Sequence, residues 1–495
     1  MSLIGIDIGS SAVKAAAYRE SGALLAQARE AVPSRHATPG FIDSDGDEVW
    51  RATVRVVRQL TSSPKLRRDP PAALAVSASG RESFPARADG RALGPCLRTA
   101  DSRRPKVMAT SIIKRTQEQW IRACGHVPDH MDPTNRLLWW RETAPGTLDK
   151  ARWFLGWHEL ASLRLAGRPI VDPALAAGFL IFDLSTRTWS AERIAALEVE
   201  PRLLPEIVPW ATAIDRIDSR EAHRLGLPRD CTFVVGSWDG SCAAVGAAAV
   251  EEGSALLASG TWESVVAPVK KPRLREAASS RLAVTPQPST PGWGLWARSP
   301  NGTSALEWAR SLAGVGLAEL DAGLRTSGAG PADALVVPHL AGAPAPWPGG
   351  RPPGGAIFGL TLATTGLELV RATMEGITYE LTFAFNALRG AGADVEVCRA
   401  AGGGTRSAWW MQLKADMLGI PVEVTDQLEP GTLGAALLAG VGIGTFRSLS
   451  EAAERVGLAR RYEPDSARRR KFQGKLNRHR AAVEAMLGVT PIGAG

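Results

Sequence analysis

The sequence predicts an α/β protein of two domains, and three observations carry that prediction. Short β-rich apolar runs alternate with stretches of helical periodicity along the whole chain, the pattern of sheets packed against helices. The 495 residues exceed what one hydrophobic core usually organises. A glycine-hydroxyl hairpin near the start, DIGSS, also has a counterpart past the midpoint, ASGTWE.

Taken in order, 3–8 (LIGIDI) is a strand broken by Gly9, 13–18 is a second strand, and Ser21-Gly22 makes the next turn. The run 51–60 has helical periodicity, 73–77 is strand-like, and Asp89-Gly90 marks a hairpin. A mostly helical stretch covers 106–165. The strand 232–236 leads through Ser237-Trp238-Asp239-Gly240 into a small-residue helix ending near Val250. The opening pattern then recurs, with strand 254–258, the turn Ser259-Gly260-Thr261 and strand 263–269. Strand 395–400 precedes a glycine loop and a strong helix at 407–418, and 433–441 reads as a buried Gly/Ala helix. The Pro/Gly-rich segment 341–355 is an irregular loop that lines a cleft or covers a surface. This layout divides the chain near residue 230, into domains 1–230 and 231–495.

Composition narrows the function classes. Hydrophobic residues at 45% and charged residues at 22% describe an ordinary globular protein. No window offers the roughly 20 apolar residues of a membrane span, and no basic-then-apolar leader precedes the first strand. Cys96, Cys124, Cys231, Cys242 and Cys398 are dispersed without CxxC spacing, and the seven histidines form no HExxH pair. A disulfide framework and a zinc site are therefore not expected, and a reducing cytoplasm is. The formal charge of +8 is concentrated near the C-terminus, in residues 459–480. A nucleic-acid module would interleave aromatics with that charge. This run has only Tyr462 and Phe472 and continues into a helix, so the expectation is a solvated helix face, with neither nucleic acid nor membrane as partner.

Five places can carry chemistry. Asp7 ends a strand, and Gly9, Ser10 and Ser11 follow, with Lys14 on the next strand. A glycine turn lets backbone N–H groups approach phosphate, and a carboxylate at its lip can hold Mg²⁺ through water. The same residues equally make an ordinary hairpin, and no Walker A spacing is present. Gly260 and Thr261 form a second turn of the same design, and two such turns could grip one nucleotide. Gly402, Gly403 and Gly404 lie at a strand-to-helix junction. Three consecutive glycines there permit close approach of a flat ligand or a phosphate, whereas Trp409, Trp410 and Met411 read as core. Asp239 is either a helix N-cap or a general base that takes a proton from an attacking hydroxyl. Arg81-Glu82, at a strand end, can hydrogen-bond vicinal hydroxyls or form a surface ion pair.

In sequence these segments resemble the FGGY carbohydrate kinases over nearly the whole chain. GIDIGSSAVKA resembles the family's first phosphate motif, and GFIDSDGDEVW its acidic-then-tryptophan helix entry. ARWFLGWHELASLRLAG and AAGFLIFDLSTRTWS resemble the stretches that precede the hinge. LASGTWES resembles the second phosphate motif, and AAGGGTRSAWWMQLKADMLGIPVEV the adenosine motif, which LGAALLAGVGIG extends. GAIFGLTLATTGLELVRATMEGITYEL is similarly specific. The resemblance implies two ribonuclease-H-like lobes of the actin/hexokinase type, with the active site in the cleft between them. It implies ATP and Mg²⁺, and phosphorylation of a hydroxyl of a ketose or polyol. Asp7 and Asp239 would address the metal, and Asp239 would also be the base. Gly9, Ser10, Ser11, Lys14, Gly260, Thr261 and Gly402 to Gly404 would meet the nucleotide, and Arg81, Glu82, Trp238 and Asp239 the acceptor.

Some positions depart from the family pattern. Arg81-Glu82 resembles glycerol kinases, not the Met-His of xylulokinases. Thr99 stands where a Trp precedes the Asp101-Ser102-Arg103 triplet. Gly342-Ala343-Pro344 replaces a Gly-Glu-Arg before Pro, and Trp238 replaces a smaller or polar residue. The acceptor is therefore left unnamed. Beside the kinase stands an inactive, sugar- or nucleotide-binding regulatory homologue of the same fold, and a homodimer is the expected assembly.

Overall fold

In the computed structural model, residues 1–487 are described, apart from 100, 327–329, 343, 345–346, 348–353 and 428. Much of the Pro/Gly-rich segment, including Ala343 of its family-divergent triplet, therefore lies outside the described residues. The chain forms two compact units. One comprises Met1–Val250, Val284–Gly294 and Glu429–Gly457; the other comprises Glu251–Ala283, Leu295–Leu428 and Leu458–Gly495. Asp239 belongs to the first unit, whereas the sequence reading put it after a boundary at 230.

The first unit is built on a six-stranded sheet. Its strand order is Ala213–Arg216, Thr232–Trp238, Pro71–Ala78, Ser2–Ile8, Ala12–Arg19 and Leu24–Ala31. The second, third and fourth strands in that order run parallel, and the others join antiparallel. The central strands are apolar on both faces because both are covered. Ile4, Ile6, Leu74 and Val76 pack with Val49, Trp50 and Trp157 on one side. Leu3, Ala73, Ala75 and Val234 pack with Cys242, Leu433 and Leu437 on the other.

Two helices of small residues supply that second face, Asp239–Gly246 and Pro430–Gly442. Glycines on the second helix and on the strand beneath it allow close approach of backbones. A Cβ on Gly434 would lie 1.7 Å from the carbonyl oxygen of Cys242, and one on Gly5 would lie 1.8 Å from that of Thr432. The Gly/Ala run read as an extension of the adenosine motif is indeed a buried helix, but it packs within the first unit. The expected helix entry at GFIDSDGDEVW is also present: Asp45 caps Gly46–Thr61 by accepting from the N–H of Asp47 and Glu48.

The second unit holds five neighbouring strands in the order Glu263–Pro268, Ser254–Ser259, Val397–Ala401, Val422–Thr425 and Leu458–Tyr462. A hairpin followed by two parallel strands and an antiparallel edge repeats the plan of the first sheet. The C-terminal helix, Ser466–Leu487, carries the basic run on a largely solvated face, as expected, and adds a buried one. Its arginines are largely exposed or half-buried, but Lys475 and His479 turn inward, one helical turn apart. Lys475 pairs with Glu375 at 2.8 Å. Glu380 accepts from His479 Nε2 at 2.7 Å, His339 Nε2 at 2.9 Å and Trp347 Nε1 at 2.6 Å. Burial pushes the Glu380 carboxyl up, but the two histidines prevail and hold it at about 2. All five cysteines are free and buried, and no helix among the described residues is long and apolar enough to cross a membrane.

Candidate active site

In the first unit, register brings the expected residues to one edge of the sheet. Asp7 lies opposite Ser77, and Ser77 opposite Ser237, across three adjacent parallel strands. Each strand then delivers its chemistry at or just past its C-terminal end: the 9–11 turn, Arg81-Glu82, and Trp238-Asp239. That edge is where open α/β sheets hold ligands.

Asp7 is half-buried and accepts from Ser77 Oγ at 2.8 Å. Burial raises its carboxyl above the ordinary range, against the opposing pulls of Lys14 and Ser77. Gly431, at the start of the Pro430–Gly442 helix, packs over it: a Cβ there would stand in van der Waals contact, 3.5 Å from Asp7 Oδ1 and from Ser77 Oγ. Gly9 closes the turn through its N–H to Ala12 O at 3.1 Å, leaving Ser10 and Ser11 exposed. Lys14 pairs with Glu429 at 2.5 Å, a partner 415 residues away.

Arg81 and Glu82 are both buried, so the surface-pair reading does not hold. Arg81 pairs with Asp132, and Asp129 lies 3.8 Å away. Asp132 also meets His126 Nε2 at 3.0 Å and accepts from the Asp129 N–H at 2.8 Å. Glu82 accepts from Ser79 Oγ at 2.7 Å and Thr99 Oγ1 at 2.9 Å, with Arg98 3.9 Å away. Beneath them the buried guanidinium of Arg136 donates to the carbonyls of Arg81, Leu97 and Arg98, fixing the backbone that presents the pair. The Asp101-Ser102-Arg103 triplet closes on itself, with Arg103 Nη2 2.7 Å from Asp101 Oδ2 and 2.8 Å from Asp43 Oδ2.

Asp239 is half-buried at the first position of its helix, and its Oδ1 accepts from the Gly240 N–H at 2.6 Å. The Trp238 indole lies against Gly80, where a Cβ would come within 3.2 Å of the ring. Asp172 is fully buried behind this strand end and accepts from Ser237 Oγ at 2.7 Å. Burial pushes its carboxyl up to about 6, opposed by that hydroxyl and by the N–H groups of Leu175 and Ala174.

In the second unit, the turn after Ser259 and the glycine loop meet on one residue, Ser259 itself. Gly260 donates to Trp262 O at 3.1 Å and accepts from the Thr303 N–H at 2.7 Å, so the start of the Thr303–Ala313 helix braces the turn. The three glycines of the loop serve different ends. Gly402 has φ +100°, and a Cβ there would meet Ser259 O at 2.7 Å; one on Gly404 would meet Ser259 Oγ at 2.2 Å. A Cβ on Gly403 would meet nothing within 4 Å. Packing therefore requires the outer two and leaves the middle one open. Trp410 and Met411 are core, as expected, while Trp409 is half-buried between Arg371 and Arg468.

Sequence reasoning missed Ser77, Asp132, Arg136, Asp172 and Gly431. Asp132 had a local signal, an acidic residue before a Pro at a helix start. The others are recognisable only through partners distant in sequence.

Comparison with known proteins supplies the family. The descriptions "FGGY family of carbohydrate kinases, N-terminal domain" and "C-terminal domain" match residues 2–246 and 255–443. A gluconokinase of Bacillus licheniformis is 26% identical, covering 93% of this chain and 91% of its own. A glycerol kinase of Ralstonia nicotianae is 27% identical, covering 96% and 97%. In fold the chain is similar to the crystal structure of gluconate kinase from Lactobacillus acidophilus, with a TM-score of 0.87 at 24% identity and 98% of each chain covered.

Proposed function

The chain belongs to the FGGY family of carbohydrate kinases, and from that premise we propose that it transfers the γ-phosphoryl group of ATP to a hydroxyl of a ketose or polyol, with Asp239 as general base. The observation that carries this reading is the shared sheet edge of the first unit, where Asp7, Arg81-Glu82 and Trp238-Asp239 lie at or just past the C-terminal ends of three adjacent parallel strands.

Arg81 would donate to, and Glu82 accept from, neighbouring acceptor hydroxyls. Both are already fixed by Asp132, Ser79 and Thr99, so little side-chain freedom is lost on binding. Asp239 would take the proton of the attacking hydroxyl as its oxygen bonds to the γ-phosphorus, while the bond to the leaving ADP oxygen breaks. Gly9, Ser10, Ser11, Lys14, Gly260, Thr261 and Gly402 to Gly404 would hold the nucleotide. Mg²⁺ would neutralise phosphate charge, and Asp7 and Asp239 are the carboxylates that would hold it, largely through water. Oxygen donors of this kind suit Mg²⁺. Among the described residues no group of three or more His, Cys, Asp or Glu builds a dedicated metal cage, which fits an ion that arrives with its nucleotide.

An inactive homologue finds no support, since Asp7, Asp239 and both turns are all present. The proposal includes a cytoplasmic setting and a homodimer, the latter testable by sedimentation. Its direct test is Asp239→Asn. Nucleotide affinity should persist while turnover falls by about 10²–10⁴-fold; near-normal turnover would remove Asp239 as the base.

A further inference from the structure

The buried side of the second unit's turn holds an ion pair that the mechanism does not use. Lys414 is fully buried on the Ala408–Leu418 helix. Its Nζ donates to Ser259 Oγ at 2.9 Å, pairs with the buried carboxylate of Glu263 and lies 4.1 Å from the Trp410 ring centroid. Ser259 Oγ in turn donates to Glu263 Oε2 at 3.1 Å, so the hydroxyl has both a donor and an acceptor and its rotamer is fixed. Trp410 is itself anchored through Nε1 to Met374 O at 3.1 Å and Thr378 Oγ1 at 3.0 Å.

Ser259 links the two loops: it precedes Gly260 in the chain, and Gly402 and Gly404 pack so closely on its carbonyl and its hydroxyl that neither could carry a Cβ. We propose that Lys414 is a positioning residue for the nucleotide, acting through Ser259 to hold the Gly260-Thr261 turn and the 402–404 loop at one spacing. This rests on reading those loops as nucleotide-binding.

Stability alone does not explain the pair. Replacing a buried ion pair with apolar residues of similar volume is often neutral or stabilising. An apolar substitute could fill the space but could not fix the hydroxyl against Gly404. The same unit offers a control in Lys475–Glu375, also buried, at 2.8 Å, on the Gly366–Gly390 and Ser466–Leu487 helices.

The test measures MgADP affinity by calorimetry, KM for ATP and for acceptor, and thermal unfolding. The variants are Ser259→Ala, the double variant Lys414→Met/Glu263→Leu, and Lys475→Met. Ser259→Ala and the double variant should each weaken MgADP binding about tenfold, with a matching rise in the ATP KM, an unchanged acceptor KM and near-wild-type unfolding. Lys475→Met should lower the unfolding temperature and leave MgADP affinity alone. Wild-type MgADP affinity in both Ser259→Ala and the double variant overturns the proposal. Absence of MgADP binding by the wild-type chain overturns the reading beneath it as well.

Discussion

The two sheets share a plan and differ in what they place at its edge. In each, a hairpin turn is followed by a loop after the next parallel strand. In the first unit Asp7 stands just before the turn and Arg81-Glu82 in the loop; in the second, Gly260-Thr261 form the turn and three glycines the loop. The carboxylate nearest the second turn, Glu263, is buried and neutralised by Lys414, whereas Asp7 stays partly exposed at the sheet edge. The same scaffold thus presents charge in one unit and bare backbone in the other. Charge suits a reacting hydroxyl and a metal ion. Backbone suits close approach of a nucleotide.

That contrast can be broken by substitution. Asp7→Asn should cut kcat by about 10²-fold, the scale of losing one electrostatic contact to developing charge. Thr261→Ala should cost tenfold or less and act mainly on the ATP KM. Equal effects would erase the distinction between the edges. Arg81→Ala should raise the acceptor KM more than the ATP KM. It should also destabilise the chain by about 3 kcal/mol, because Asp132 is left buried with a lost partner; a larger rise in the ATP KM would move Arg81 away from the acceptor.

The glycine loop sharpens the comparison further. Gly404→Ala should lower stability by about 1–3 kcal/mol through overpacking against Ser259. Gly403→Ala should leave the unfolding temperature unchanged and raise the ATP KM a few-fold. If Gly403→Ala changes neither, the loop's glycines serve packing alone.

The smallest effect concerns pH. Asp172, at about 6 in the fold against an ordinary 3.8, keeps a proton that the unfolded chain releases. The folded state then binds more protons between about pH 4 and 6, so this group's stabilisation is full below that window and is lost as pH rises through it. Urea unfolding of Asp172→Asn across the window should show a shallower fall than wild type. An identical slope would mean that Asp172 does not titrate there.

Local pattern made much of this legible. Both hairpins, the helix at 407–418 and the strand leading to Asp239 follow from apolar runs punctuated by glycine. What stayed hidden depends on partners far apart in the chain. Lys414 finds Ser259 at a separation of 155 residues, and Lys14 finds Glu429 at 415. Lys475 looked like one more charge on a solvated face because Glu375 lies 100 residues away. The Pro430–Gly442 helix reads in sequence with the motif before it, although its Thr432 backbone meets Gly5 and its Gly434 meets Cys242. Periodicity reports which face of an element is apolar; it does not report which sheet that face will find.

The most direct measurement is ADP release from Mg²⁺-ATP across a panel of ketoses, pentitols, deoxysugars and glycerol, with wild-type chain and Asp239→Ala side by side. The account predicts strong release with at least one acceptor, accompanied by its phosphate ester and silent in the variant. Release that persists in Asp239→Ala, or wild-type chain that binds ATP yet phosphorylates no member of a broad panel, would contradict it.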